Sequence, residues 1–242
     1  MRTRIFGLAV IATAVSALAL AACGTLGGSS GSPGASPAPG TAGSSGGSAG
    51  WPYPSIGNVR PLIIAHRGAS GALPEHTLEA YNRALNDGAD CIEPDLVMTK
   101  DGVLVDRHDT FLSTTTNVAS HPEFAARKRK SPDPEFSNRE DWWVADFTLA
   151  ELKTLRTVQP MKNRSHAYDN LYPITTFDED LDLATSRHTL SGAPVCIYPE
   201  AKSPAYHASL GLPDMADAMI ATLKRHNMDK PPSRVFIQSF EP

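Results

Sequence analysis

Glu93 and Asp95 stand two residues apart in the apolar run "CIEPDLVM" (91–98), so on an extended chain their carboxylates face the same way. Glu200 and Lys202 repeat that spacing at the end of "VCIYPEAK" (195–202). His66 and Arg67 follow the apolar part of "PLIIAH" (61–66), and His108, with Asp109 after it, ends "VLVDRH" (103–108). Ionisable side chains therefore gather at the C-terminal ends of four strand-like runs. That is where α/β barrels and open α/β sheets place their sites. Three carboxylates converging inside a fold repel one another, and desolvation adds to the cost. A hard divalent cation with oxygen ligands resolves this, and Ca²⁺ or Mg²⁺ fits better than Zn²⁺. Phosphodiester hydrolysis needs one group to take a proton from the nucleophile and another to give one to the leaving alkoxide. His66 and His108 can form such a pair, while Arg67 and Lys202 can neutralise the phosphate oxygens. One such pair alone would read as a surface ion pair; the recurrence at strand ends is what points to a site. His121, His166, His188, His207 and His226 read as packed or surface residues, and His76 as structural or substrate-side.

These residues need a frame. Several of the runs, with "RVFIQSF" (234–240) as the fifth, are apolar on both faces, as buried parallel strands are. Helical segments fall between most of them. "TLEAYNRALNDG" sets Leu78, Tyr81 and Leu85 on one face and stops at Gly88. "TLAELKTL" has a capping box from Thr148 to Glu151, and "TFDEDLDLA" has another from Thr176 to Glu179. "PDMADAMIATLKRHN" opens with Pro213 in the expected first turn. Alternating strands and helices predict an α/β fold with a parallel sheet. Residues 110–147 read as irregular: "ARKRK" as a solvated loop, Trp142 and Trp143 as side chains that pack it down. Pro94 cannot donate to a sheet ladder and predicts a local bulge between the two carboxylates.

The N-terminal part has a different logic. Arg2 and Arg4 precede "IFGLAVIATAVSALAL", a secretory leader over residues 1–22. Its end, "LAAC", resembles the lipobox of bacterial lipoproteins, which makes Cys23 the expected lipidation site. Residues 23–58 then form a linker rich in glycine, serine and proline, with no core of its own. Its 27 residues from 24 to 50 have a random-coil reach of roughly 30 Å. The expected location is the bacterial cell envelope, outside the cytoplasm and lipid-anchored to a membrane. The formal charge of −4, or −6 once Arg2 and Arg4 are removed, argues against a sequence-independent nucleic-acid binder. Cys91 and Cys196 lie in apolar runs and read as buried free thiols, although an oxidising compartment permits a bridge.

The stretch "AHRGASGALPEHTLEAYNRALNDGADCIEPDLVMTKDGVLVDRHD" resembles the core signature of the glycerophosphodiester phosphodiesterase family, in particular its longer periplasmic or extracellular members. The family pattern runs His-Arg-Gly-Ala, here His66 to Ala69, then Pro-Glu-Asn/His-Thr, here Pro74 to Thr77. A Gly-Ala-Asp-x-Ile/Leu-Glu-x-Asp strand follows at Gly88 to Asp95, then Thr-Lys-Asp-Gly at Thr99 to Gly102, and His-Asp at His108 and Asp109. "YPEAK" resembles the family's Pro-Glu-x-Lys, giving Glu200 and Lys202, and "FIQSF" resembles its Gln-Ser-Phe strand, giving Gln238. The match is dense over 62–109 and patchy over 172–241. It implies a TIM-type (β/α)₈ barrel that cleaves glycerophosphodiesters to glycerol 3-phosphate and an alcohol such as choline or ethanolamine. It also implies Glu93, Asp95 and Glu200 as ligands of Ca²⁺ or Mg²⁺ and His66 and His108 as acid and base. In the family's usual route the glycerol 2-hydroxyl attacks phosphorus, and water opens the cyclic product.

Residues 59–242 fall short of the roughly 250 of a typical barrel. Five strand runs stand where closure needs eight, so the expectation is a partial, C-terminally truncated barrel with unpaired edges. Two other functions compete with the hydrolase: a non-catalytic surface lipoprotein that binds a phosphorylated ligand or partner, and a phospholipase acting on intact lipids. The hydrophilic tether and the scarcity of aromatic clusters argue against the phospholipase.

Overall fold

The computed structural model describes residues 60–241. The expected leader over 1–22, the expected lipidation site Cys23 and the expected linker over 23–58 lie outside the described residues. In chain order the elements are β1 (Ile64–His66), α1 (Leu78–Asn86), β2 (Cys91–Glu93), β3 (Asp95–Met98), β4 (Leu104–Asp106), β5 (Arg129–Lys130) and β6 (Glu140–Asp141). Then come α2 (Leu149–Leu152), α3 (Phe177–Ser186), β7 (Cys196–Ile197), β8 (Glu200–Ala201), α4 (Pro204–Ser209), α5 (Met215–Arg225) and β9 (Gln238–Ser239).

Six of the strands pair in parallel, while β4 pairs antiparallel with β3 and β5 antiparallel with β6. β1 pairs with β2 and β2 with β7; β3 pairs with β8 and β8 with β9, all parallel. β2 and β3 are one run interrupted at Pro94, and β7 and β8 one run interrupted at Tyr198 and Pro199. The described residues thus supply four parallel runs of a TIM-type barrel, an open part of the eight-stranded architecture. Period-two alternation sorts their side chains. Ile92, Leu96, Met98 and Ile197 pack with Tyr81 and Leu85 of α1, Phe177 and Leu181 of α3, and Met219 and Leu223 of α5. Glu93, Asp95 and Val97 take the opposite face, where Val97 and Val105 join a second core with Trp142, Phe147, Leu152 and Leu155. The tryptophans do pack the irregular segment down. The basic run stays at the surface, where Arg127 and Arg129 pair with Glu151 and Asp146.

Both expected capping boxes form, and Thr77 caps α1 by accepting from the Ala80 amide. Three expectations need correction. The run ending at His108 is antiparallel to its neighbour, with Leu96 opposite Asp106 and Met98 opposite Leu104. The connection from Met98 to Leu104 is too short for a parallel crossover, and Gly102, at φ +79°, lets it turn back. Cys91 and Cys196 are not free thiols: β2 and β7 place them in register, and they form a disulfide. Asp214, not the residue before it, caps α5, so Pro213 lies outside the helix; α4 had no sequence signal. The break at Pro94 is as expected, and its carbonyl accepts from the Glu200 amide at 2.9 Å. No helix among the described residues is long and apolar enough to cross a membrane.

Candidate active site

Register brings the carboxylates together. His66 on β1 lies opposite Glu93 on β2, and Asp95 on β3 lies opposite Glu200 on β8. One oxygen from each of Glu93, Asp95 and Glu200 lies within 4.8 Å of the others, and all three residues are buried. Three carboxylates and no sulfur or imidazole at this spacing fit a hard, oxygen-liganded divalent cation. Asp95 Oδ1 is buried without a hydrogen-bond partner, an acceptor that such a cation would satisfy. Glu93, Asp95 and Glu200 would hold it.

Each carboxylate is also held from the side. Glu93 Oε2 accepts from the Arg67 amide at 2.9 Å. Glu200 Oε1 accepts from Lys202 Nζ at 2.7 Å and Oε2 from Gln238 Nε2 at 2.6 Å, which ties β9 to the cluster. Asp95 Oδ2 accepts from His76 Nε2 at 2.9 Å, with Arg67 Nε at 3.4 Å and Lys202 Nζ 3.9 Å from Oδ1. Burial, then the Asp95 charge, push the Glu93 carboxyl up to about 8. Burial would raise Asp95 too, but the hydrogen bond and charge of His76, with Lys202 and His108, hold it below the usual carboxylate range. Burial lowers the His76 pKa, against the opposing hydrogen bond and charge of Asp95.

The turn after β1 explains how Arg67 reaches this spot. Arg67 is left-handed at φ +61° and Gly68 at φ +78°. A Cβ on Gly68 would meet Ala80 at 2.8 Å, so only glycine lets the strand end turn beneath α1.

His66 and His108 line one cleft of about 490 Å³ with Arg67, Glu75, Met161 and Arg164. His108 Nδ1 pairs with Asp109 Oδ1 at 2.8 Å, which leaves Nε2 as the nitrogen free to exchange a proton. The structure thus gathers all seven sequence-predicted site residues within the described part: Glu93, Asp95 and Glu200 in the cluster, Arg67 and Lys202 against it, His66 and His108 beside it. Arg67 is engaged more than the sequence suggested, spanning Asp95 and Glu75. His76, expected as structural or substrate-side, contacts the cluster through Asp95, and Tyr81, whose hydroxyl meets the His76 ring at 2.8 Å, joins it there. A signal existed for Tyr81 only as a helix-face apolar residue. Arg164 entered the cleft from a segment with no motif. The other histidines are packed or at the surface as expected; His207 is buried, accepting from the Met98 amide and bonding the Ser203 carbonyl.

The profile of the Glycerophosphoryl diester phosphodiesterase family matches residues 66–242. A glycerophosphodiester phosphodiesterase of Arabidopsis thaliana is 41% identical over 192 residues, 75% of this chain and 50% of that protein. One from Haemophilus influenzae is 37% identical over 191 residues, 74% of this chain and 50% of that protein. The chain therefore spans about half the length of the curated relatives it matches. A solved structure from Silicibacter pomeroyi, assigned as a glycerophosphoryl diester phosphodiesterase, aligns with a TM-score of 0.55 at 27% identity, covering 74% of this chain and 58% of that one. An Oleispira antarctica phosphodiesterase in complex with the product sn-glycerol-3-phosphate has the same fold, with a TM-score of 0.50 at 23% identity, covering 75% and 58%.

Proposed function

The chain belongs to the glycerophosphoryl diester phosphodiesterase family, and from that premise we propose that it hydrolyses glycerophosphodiesters to glycerol 3-phosphate and an alcohol, with Ca²⁺ or Mg²⁺ held by Glu93, Asp95 and Glu200. The observation that carries this reading is the buried three-carboxylate cluster beside a cleft lined by two histidines. When bound, the cation would supply positive charge to the phosphate oxygens and relieve repulsion among the carboxylates.

The side chains divide the remaining work. One imidazole of the His66 and His108 pair takes the proton of the attacking glycerol 2-hydroxyl, and the other protonates the alkoxide that leaves phosphorus. When water opens the cyclic phosphodiester the two exchange roles, so one water is consumed and both rings recover their starting protonation. The Asp109 contact supports this by holding the His108 ring in one orientation. Arg67 and Lys202 supply donors toward the non-bridging oxygens.

The test is release of glycerol 3-phosphate from glycerophosphocholine with Ca²⁺ or Mg²⁺, repeated with a chelator. Product should form only with the cation, and His66→Ala or His108→Ala should each lower the rate about 10²–10⁴-fold. No metal-dependent product from a folded sample would overturn the hydrolase and favour the ligand-binding lipoprotein. The leader, Cys23 and the tether support a site held outside the cytoplasm, and the Cys91–Cys196 disulfide fits an oxidising compartment. Intact cells should therefore hydrolyse an impermeant substrate; activity only after lysis would overturn that placement.

A further inference from the structure

His76 takes no part in the proton transfers described above, yet it makes the shortest polar contact to the Asp95 carboxylate, at 2.9 Å. Its ring is fully buried and is held at both nitrogens. Nε2 donates to Asp95 Oδ2, and Nδ1 lies 2.8 Å from the hydroxyl of Tyr81. That hydroxyl is also 3.1 Å from the Glu93 carbonyl. A continuous path of polar contacts therefore runs from the backbone beside one carboxylate to the side chain of the next. The backbone at His76 is left-handed, φ +56°, which a residue with a Cβ adopts rarely. Its amide donates to the carbonyl of Arg67, itself left-handed. Glycine would adopt that backbone at lower conformational cost.

We propose that His76 is a positioning residue for the cation centre, fixing the Asp95 carboxylate through Oδ2 so that Oδ1 is presented to the ion. This role rests on the cation site proposed for Glu93, Asp95 and Glu200. Two facts support it. Oδ2 is engaged by His76 and approached by Arg67, whereas Oδ1 is buried and has no hydrogen-bond partner. Tyr81, anchored in the core by α1, sets the rotation of the imidazole, so helix packing is transmitted to the ligand oxygen. A carboxylate oriented before the ion arrives binds it more tightly than one that must be ordered on binding, and outer partners of metal ligands typically contribute about 10–100-fold in affinity.

The experiment compares His76→Gln with His76→Leu in the full chain by calorimetric titration with Ca²⁺. Both replacements have similar volume and the same backbone burden, but only glutamine can place a donor where Nε2 stands. The leucine variant should bind Ca²⁺ about 10–100-fold more weakly, and glutamine should recover most of the loss. Tyr81→Phe, which removes only a hydroxyl, should weaken binding by several-fold, and it decides the matter if the leucine variant does not fold. Equal affinities in the leucine and glutamine variants, or an unchanged affinity in a folded Tyr81→Phe chain, would overturn the positioning role while leaving the cation site intact. No Ca²⁺ or Mg²⁺ binding by the unaltered chain would overturn both.

Discussion

Glu93 sits in the tightest electrostatic corner of the site. Burial raises its carboxyl to about 8, and the neighbouring Asp95 and Glu200 push in the same direction, against the Arg67 amide hydrogen bond. In the cation-free chain at pH 7 the group therefore carries a proton, and a cation ligand must be ionised. Cation binding should release about one proton per ion at pH 7, read by calorimetry in two buffers of different ionisation enthalpy. The sign follows: below about pH 8 the proton competes with the ion, so affinity should rise about tenfold per pH unit and level off above that value. Proton-neutral binding with a flat pH profile would show that the ion does not use Glu93. Lys202 competes in a different way. Its ammonium lies 2.7 Å from Glu200 and 3.9 Å from Asp95, so on the proposed reading a bound cation would displace it from the carboxylates.

Elements carry a second titration. Asp106 ends β4 and Asp180 lies in α3, and both are fully buried. None of their four carboxylate oxygens has a donor among the described residues, so one of the pair must keep its proton to bond the other. Burial raises Asp106 to about 7 even with Asp180 donating to it and Arg107 nearby, and burial with the Asp106 charge raises Asp180 well above the usual carboxylate range. For an acid whose folded pKa lies above its unfolded value, the stabilisation is complete below the unfolded pKa near 3.8 and is lost as pH rises through the folded one. The melting temperature should fall between pH 6 and pH 8.5, by roughly 2–4 °C for each kcal/mol lost. Asp180→Asn keeps a donor toward Asp106 and removes one of the two titrating groups, so its melting temperature should fall less over that range than the wild type's. A wild-type profile that is level from pH 6 to pH 8.5 would mean that the two aspartates do not hold a proton with a raised pKa. None of this was legible in the sequence, because Asp180 follows a capping box and reads as an ordinary helical acid. The strand-end carboxylates were legible for a physical reason: period two puts Glu93 and Asp95 on one face whatever the partner strand does. The antiparallel sense of β4 was also available in the short link from Met98 to Leu104, which no parallel crossover could span. The pairing of Cys91 with Cys196 was not, since the register of strands 105 residues apart is set by the whole sheet.

At the scale of the whole molecule, the open sheet leaves two kinds of surface. One is the polar cleft. The other is apolar and lies along the outer strands: Leu62, Ile63 and Ile64 are exposed at β1, and Phe236, Ile237 and Phe240 at β9. β1 ends one side of the parallel order and β9 the other, so the exposed side chains accompany backbone groups that lack a sheet neighbour among the described residues. Exposed apolar edge strands associate, because a second chain can complete the ladder and cover the side chains at once. β9 also carries Gln238, whose amide holds Glu200, so whatever pairs with this edge bears on the cation cluster. The chain should therefore self-associate at concentrations of tens of micromolar, on the order of those at which exposed edges aggregate, seen as a mass above 25.9 kDa in light scattering. A lysine at such an edge opposes pairing, so Ile237→Lys should shift the population toward the monomer without removing Ca²⁺ binding, since Ile237 is not among the cluster's contacts. A wild-type chain that stays monomeric at every concentration would mean that these edges are covered within one molecule, by residues outside those described.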